Sequence, residues 1–156
     1  MNDYSSDLHF DAILPRLKVV SYKQILMAFA KEASKHLNVS DERVFELLMK
    51  KEGQTGSGVG NGVSIPHLQV HGPQKHFTIM ATLEHAVDFK AADNEPVDLV
   101  CLVLSPESDG PLHLRRLSRV SRLLMNETLH KKLCEAHDEH SIRALLMDPE
   151  GWLMAA

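Results

Sequence analysis

The sequence predicts an α/β fold: a single-domain sandwich with one central mixed β-sheet flanked by helices on both faces. Three observations predict it. Residues 97–104 (V-D-L-V-C-L-V-L) are the most continuous apolar run in the chain and read as a strand buried on both faces. Residues 77–83 (F-T-I-M-A-T-L) read as another strand. Apolar stripes at helical spacing occur both before and after these strands. At 156 residues the chain suits one core. The domain is placed at 10–147, with a flexible N-terminus at 1–9 and a tail at 148–156.

In chain order, residues 1–8 are expected to fray. Residues 10–14 carry apolar residues up to Pro15, and 17–20 read as a short strand. Ser21 caps a helix whose stripe is Leu26, Phe29, Ala30, Ala33 and Leu37, ended by Asn38. Ser40 caps a second helix, with Asp41 and Glu42 in the first turn, where the helix dipole favours anions. Phe45, Leu48 and Met49 form its inner face, and it is expected to stop near Lys51.

Five of the eight glycines then fall between Gly53 and Gly62. So many glycines predict a shaped loop in place of a helix interior or a regular strand. Val63, Ser64 and Ile65 form a short strand, and Pro66 holds Ile65 extended. His67 is therefore expected where that strand leaves its sheet. A polar turn at 69–75 follows, and Val87 and Phe89 mark a possible short strand within the polar connection 84–95. After the buried strand, Pro111 opens a helix with Leu114, Leu117 and Leu124 inward. Residues 127–136 and 141–147 are further short helices.

Net charge is −4, which does not favour a nucleic-acid footprint. No run of about 18 apolar residues is present, so no membrane span is expected. The start of the chain is polar and acidic, without the apolar stretch of a signal peptide. Cys101 and Cys134 read as buried or incidental thiols, consistent with a reducing cytoplasm.

Four features could carry chemistry. The glycine loop suits phosphate, yet it is neither a Walker loop nor a dinucleotide fingerprint, and its ordinary reading is a surface turn. His67 is a nucleophile or base, or a surface histidine in a turn. His113 lies on or beside the inner stripe of its helix, as a satisfied core histidine or as a second imidazole reaching His67. Arg115, Arg116, Arg119 and Arg122 form a basic face, ordinarily solvated, or a docking surface for an acidic partner. Neither His67, His71 and His76 nor His137 and His140 has a recognised metal-ligand spacing. No metal and no cofactor are therefore expected.

The run G-V-G-N-G-V-S-I-P-H at 58–67 closely resembles the active-site motif of phosphotransferase-system EIIA domains of the fructose/mannitol type. It looks most like their nitrogen-regulatory branch, EIIA-Ntr. Residues 87–104 (V-D-F-K-A-A-D-N-E-P-V-D-L-V-C-L-V-L) and H-L-R-R-L-S-R-V from His113 continue the likeness in the same order. The resemblance implies that His67 accepts a phosphoryl group from an HPr- or NPr-like phosphohistidine carrier. It implies that His113 is a second active-site histidine, and that Lys51 stands where arginine is common. The loop, here Ser57, Gly58, Gly60 and Asn61, would supply stabilising groups beside the phosphohistidine. Lys51, the order Q-T-G-S-G, and Leu68 in place of a common glycine depart from the pattern. They bear on the rate of transfer or the identity of the donor.

The function so implied is that of a cytoplasmic phosphotransferase component that regulates target proteins by its phosphorylation state. A transporter, a sensor kinase or a metabolic enzyme would each suit as target. The alternatives are a sugar-specific EIIA serving a fructose/mannitol-type permease, a binding module whose His67 is not phosphorylated, and a metal-dependent enzyme.

Overall fold

A computed structural model describes residues 9–89, 93 and 95–147. The strands are β1 (Ala12–Leu17), β2 (Gly58–Gly60), β3 (Val63–Ser64), β4 (His67–Val70), β5 (Phe77–Val87) and β6 (Val97–Pro106). The helices are α1 (Tyr22–His36), α2 (Asp41–Thr55), α3 (Leu112–Leu124), α4 (Glu127–Glu135) and α5 (Glu139–Leu146). The strands form one mixed sheet in the order β1-β5-β6-β3-β2, with β4 also paired to β6. The sandwich expected from the sequence is thus observed. Apart from His9, the terminus and tail set off at 1–9 and 148–156, Trp152 included, lie outside the described residues.

β6 is the axis. Leu99, Cys101 and Val103 face one core cluster and Val100, Leu102 and Leu104 the other, all fully buried. Side chains alternate across a strand, so only a strand covered on both faces needs an unbroken apolar run. α1 and α2 cover one face with Ile25, Leu26, Phe29, Val44 and Leu48. α3, α4 and α5 cover the other with Val120, Leu123, Leu124, Leu129, Leu133 and Ile142. Ser21 and Ser40 cap α1 and α2, accepting from the backbone N–H of Gln24 and Arg43.

Several boundaries differ from the sequence reading. The first strand is β1, not 17–20, and it contains Pro15. Proline is tolerated there because β1 is an edge strand paired on one side only, to β5. α2 runs through Gly53 to Thr55 and ends at Gly56, whose φ is 64°. Within the glycine loop, β2 pairs with β3 across a two-residue turn. Asn61 and Gly62 both hold positive φ there, 55° and 81°, as a tight hairpin with matched twist requires. Val87 is not a separate strand but the end of β5, past an irregularity in its pairing with β6. In α3, Leu114 is 68% exposed and not inward. The inner stripe is His113, Arg116, Val120, Leu123 and Leu124, so Arg116 leaves the expected basic face.

Most consequential is the position of His67. It does not stand where a strand leaves the sheet. β3 and β4 lie end to end along the same side of β6, interrupted at Ile65 and Pro66. The ladder is carried across the interruption, because the Val103 N–H donates to the Pro66 carbonyl. Proline, having no N–H, interrupts the pairing without leaving an orphan donor. His67 opens β4, and Leu68 beside it turns to the opposite face and is buried in the cluster under α1 and α2.

Candidate active site

Three elements meet at His67. Lys51 comes from the last turns of α2, and His113 from the first turn of α3. Lys51 Nζ lies 2.9 Å from His67 Nδ1, and His113 Nε2 lies 3.1 Å from the same atom. The two imidazole rings are tilted at 46° with centroids 5.2 Å apart. His67 Nε2 makes no hydrogen bond among the described residues.

Behind His113 the network continues inward. Its Nδ1 lies 2.8 Å from Ser105 Oγ, which accepts from Arg116 at 2.9 Å. Arg116 also donates to Asp109 Oδ2 at 2.6 Å. Arg116 is buried and ion-paired, in place of the solvated residue read from the sequence. Ser105 and Asp109 are not singled out in the sequence reading, which places Arg116 only on the basic face. The available signal is the three-residue spacing from His113 to Arg116, which puts both on one helix face.

This network sets the tautomers. Arginine donates only, so Ser105 Oγ accepts from Arg116. The buried Ser105 hydroxyl proton then has one partner left, His113 Nδ1. His113 accordingly carries its proton on Nε2 and donates to His67 Nδ1, as does the Lys51 ammonium. His67 is left neutral with its proton on Nε2. We expect the ¹⁵N shifts of His113 to report the Nε2–H tautomer in the wild type. In Ser105→Ala the Nδ1–H form should also be populated; a wild-type spectrum dominated by that form contradicts the assignment.

The electrostatics agree. Burial, then Lys51, then His113 lower the His67 pKa to about 4. Burial, followed by Lys51 and Arg116, lowers His113, with Asp109 acting in the opposite sense. Burial lowers Lys51. A histidine held neutral in the fold but free to protonate near pH 6.5 when unfolded couples stability to pH. Between those values the unfolded chain binds the extra proton. Stability should therefore fall as pH drops from about 6.5 toward about 4. The slope should lose up to about one proton in His67→Asn, measured by urea unfolding across that range. An unchanged slope contradicts the depressed pKa.

The loop residues divide. Ser57 and Gly58 line a cleft of about 200 Å³ beside His67, with Val59, Leu117 and Ser121. The Ser57 N–H is occupied by Glu52 Oε1 at 3.2 Å, and its hydroxyl pairs with Ser64 Oγ at 2.6 Å. Gly60 and Asn61 belong to the far end of the hairpin and do not line the His67 cleft. There the Asn61 N–H donates to Asp93 Oδ2 at 3.0 Å. Lys51, His67 and His113 are thus brought together, Ser57 and Gly58 border them, and Gly60 and Asn61 stand apart.

The family model described as "Phosphoenolpyruvate-dependent sugar phosphotransferase system, EIIA 2" matches residues 8–148. The chain belongs to this EIIA type-2 family. It is 40% identical over 139 residues to a nitrogen regulatory protein of Bradyrhizobium diazoefficiens, covering 89% of this chain and 91% of that one. It is 30% identical over 148 residues to the nitrogen regulatory protein of Escherichia coli (strain K12), covering 94% and 91%. The crystal structure of nitrogen regulatory protein IIA-Ntr from Neisseria meningitidis superposes with a TM-score of 0.80 at 26% identity, over 87% of this chain and 92% of that one. IIA mannitol from Escherichia coli, at 17% identity, shares the fold with a TM-score of 0.73, over 86% and 94%. This EIIA type-2 domain is accordingly a phosphotransferase component of the nitrogen regulatory IIA type. Among its described residues no helix is long and apolar enough to cross a membrane.

Proposed function

We propose that His67 accepts a phosphoryl group from the phosphohistidine of an HPr- or NPr-like carrier, and that the phosphorylation state governs binding to regulatory target proteins. The observation that carries this is the neutral His67 imidazole with Lys51 and His113 both at its Nδ1.

Nδ1 is held by these partners, so Nε2 is the nitrogen presented to the carrier. Attack by Nε2 needs the ring proton on Nδ1. The His67 Nε2 proton leaves to solvent as the His113 Nε2 proton passes to His67 Nδ1. His113 regains one proton from solvent on Nδ1, and the Ser105 hydroxyl turns so that its oxygen accepts from both His113 and Arg116. The Nε2–P bond forms as the carrier's N–P bond breaks. The Lys51 ammonium turns from Nδ1 to the phosphoryl oxygens. Phosphoryl transfer asks mainly for in-line positioning and charge stabilisation, and this site offers both. The added charge of up to about −2 then changes the face seen by a target.

A sugar-specific role is the second reading. It is favoured by 33% identity over 107 residues to a fructose-specific EIIA component of Haloferax volcanii, covering 69% of this chain and 70% of that one. The names of the nitrogen regulatory relatives support the first reading over a longer stretch.

The test is transfer from labelled phosphoenolpyruvate through an Enzyme I and an HPr-type carrier. Acid-labile, alkali-stable label on the chain supports the acceptor role. No label, with a carrier that phosphorylates a control acceptor, overturns it. A shared assay with a fructose-type permease domain separates the two readings: onward transfer to its cysteine favours the sugar-specific one.

A further inference from the structure

A second cluster of reactive side chains stands by the hairpin turn, in a cleft separate from that of His67. Asp98 lies near the start of β6, and His130 and Cys134 lie one turn apart on α4. His130 Nε2 is 2.6 Å from Asp98 Oδ1, and Cys134 Sγ is 4.0 Å from the Asp98 backbone oxygen. One carboxylate oxygen, one imidazole nitrogen and the thiol sulfur all lie within 4.8 Å of one another. They open onto a cleft of about 680 Å³. Glu95, Glu127 and Glu135 also line it, with Lys131 as the cation among the described lining residues. Four carboxylates against one ammonium favour a positive ligand.

A plain hydrogen bond accounts for Asp98 and His130. It does not account for a thiol as third neighbour or for the acidic rim. The four-residue spacing of His130 and Cys134 puts both on one face of α4, where they can grip one atom. The sequence reading sets Cys134 aside as an incidental thiol. The spacing to His130 is the local signal, and only the fold adds Asp98.

We propose that Asp98, His130 and Cys134 bind a divalent transition-metal ion of the zinc class. The donor set decides the class. A thiolate argues against calcium and magnesium, and a carboxylate with an imidazole argues against a soft monovalent ion. Three protein ligands suit tetrahedral zinc or cobalt, the fourth position going to water or a rim glutamate.

Binding replaces the hydrogen bond from His130 to Asp98 with two metal–ligand bonds. The His130 ring proton moves to Nδ1, and the Cys134 thiol releases one proton to solvent. No oxidant or reductant is involved. Ligand atoms in such a site stand about 3.5 Å apart, so Asp98 and His130 separate slightly while the thiol closes in. The ion ties α4 to β6 beneath the hairpin turn. A Cβ built on Gly62 would stand 3.0 Å from both Asp98 Oδ1 and His130 Cε1, so glycine there leaves room for the pair.

The test uses the whole chain, reduced and metal-free, with cobalt(II) as probe at neutral pH. One equivalent should give a thiolate-to-cobalt charge-transfer band and the intense visible bands of a four-coordinate ion. One equivalent of zinc(II) should remove both. A hundredfold excess of zinc over its Kd should raise Tm by about 5 °C or more. Cys134→Ser should lose the charge-transfer band while keeping its far-ultraviolet circular dichroism. The fully buried Cys101 cannot replace it. Should Cys134→Ser not fold, Asp98→Asn should weaken cobalt binding at least ~10-fold, as loss of a direct ligand requires. Absence of the charge-transfer band in the wild type overturns the proposal, as does a band that persists in Cys134→Ser.

Discussion

His67→Ala is expected to take up no phosphoryl label from a competent carrier, while the wild type reaches stoichiometric labelling. The expectation rests on how differently the histidines are placed. His130 is hydrogen-bonded to Asp98, and His113 is buried with its Nδ1 against Ser105. His71 is exposed on the surface, facing Glu107. Among the described histidines, His67 alone combines a depressed pKa, two neighbouring donors and a ring nitrogen unengaged by the protein. His113→Ala should still be labelled, but about 100-fold more slowly, as is typical when one stabilising donor is removed. Circular dichroism establishes that both variants are folded. Label on folded His67→Ala, with the carrier removed before counting, moves the acceptor elsewhere and ends this reading of the site.

The parts of this architecture legible in the sequence are those fixed by burial. β6 announces itself because both its faces are covered, and α1 because its stripe repeats every three or four residues. Ser21 and Ser40 give away the helix starts. Pro15 hides β1, since a proline counts against a strand unless that strand is known to lie at an edge. Asn61 followed by Gly62 is a hairpin signal, but the surrounding glycines mask the short strands it joins.

For the site, the residue types are visible and their pairing is not. Lys51, His67 and His113 come from three separate elements; the residues alone offer His113 reaching His67 as one of two readings, and Lys51 joins them only through the family resemblance. The local composition predicts one phosphate-facing loop, whereas the hairpin divides it. Ser57 and Gly58 border His67, while Asn61 faces Asp93. Arg116 shows the limit most clearly. Arginine spaced among other arginines reads as a solvated face, and only the return of Asp109 and Ser105 to α3 makes it a buried anchor.

Lys51→Met should lower the rate of transfer to His67 by about 100-fold, in line with the loss of one charged donor aimed at the transferring group. Methionine keeps most of the length and apolar packing of the lysine stem, so the comparison isolates the ammonium. At 4 Å and an effective dielectric of about 20, one unit charge acts on another with about 4 kcal/mol. The ammonium serves two states. Before transfer it lowers the His67 pKa, second to burial; after transfer it faces a phosphoryl group carrying up to about two negative charges. Its loss should shift the phosphoryl equilibrium back toward the carrier.

The acid limb of the transfer rate should also move. In the wild type His67 stays neutral down to about pH 4, so its own protonation does not limit acceptance near neutrality. In Lys51→Met the pKa rises without reaching the ordinary value, because the burial contribution remains. The ratio of variant to wild-type rate should therefore fall further as pH is lowered from 7 toward 5, which cancels the carrier's own pH dependence. Lys51→Arg should restore the rate, because a guanidinium fork can hold two phosphoryl oxygens where an ammonium acts as a point charge. A Lys51→Met rate within threefold of wild type, with a flat ratio across pH, would limit Lys51 to orienting the ring and leave phosphoryl stabilisation to His113.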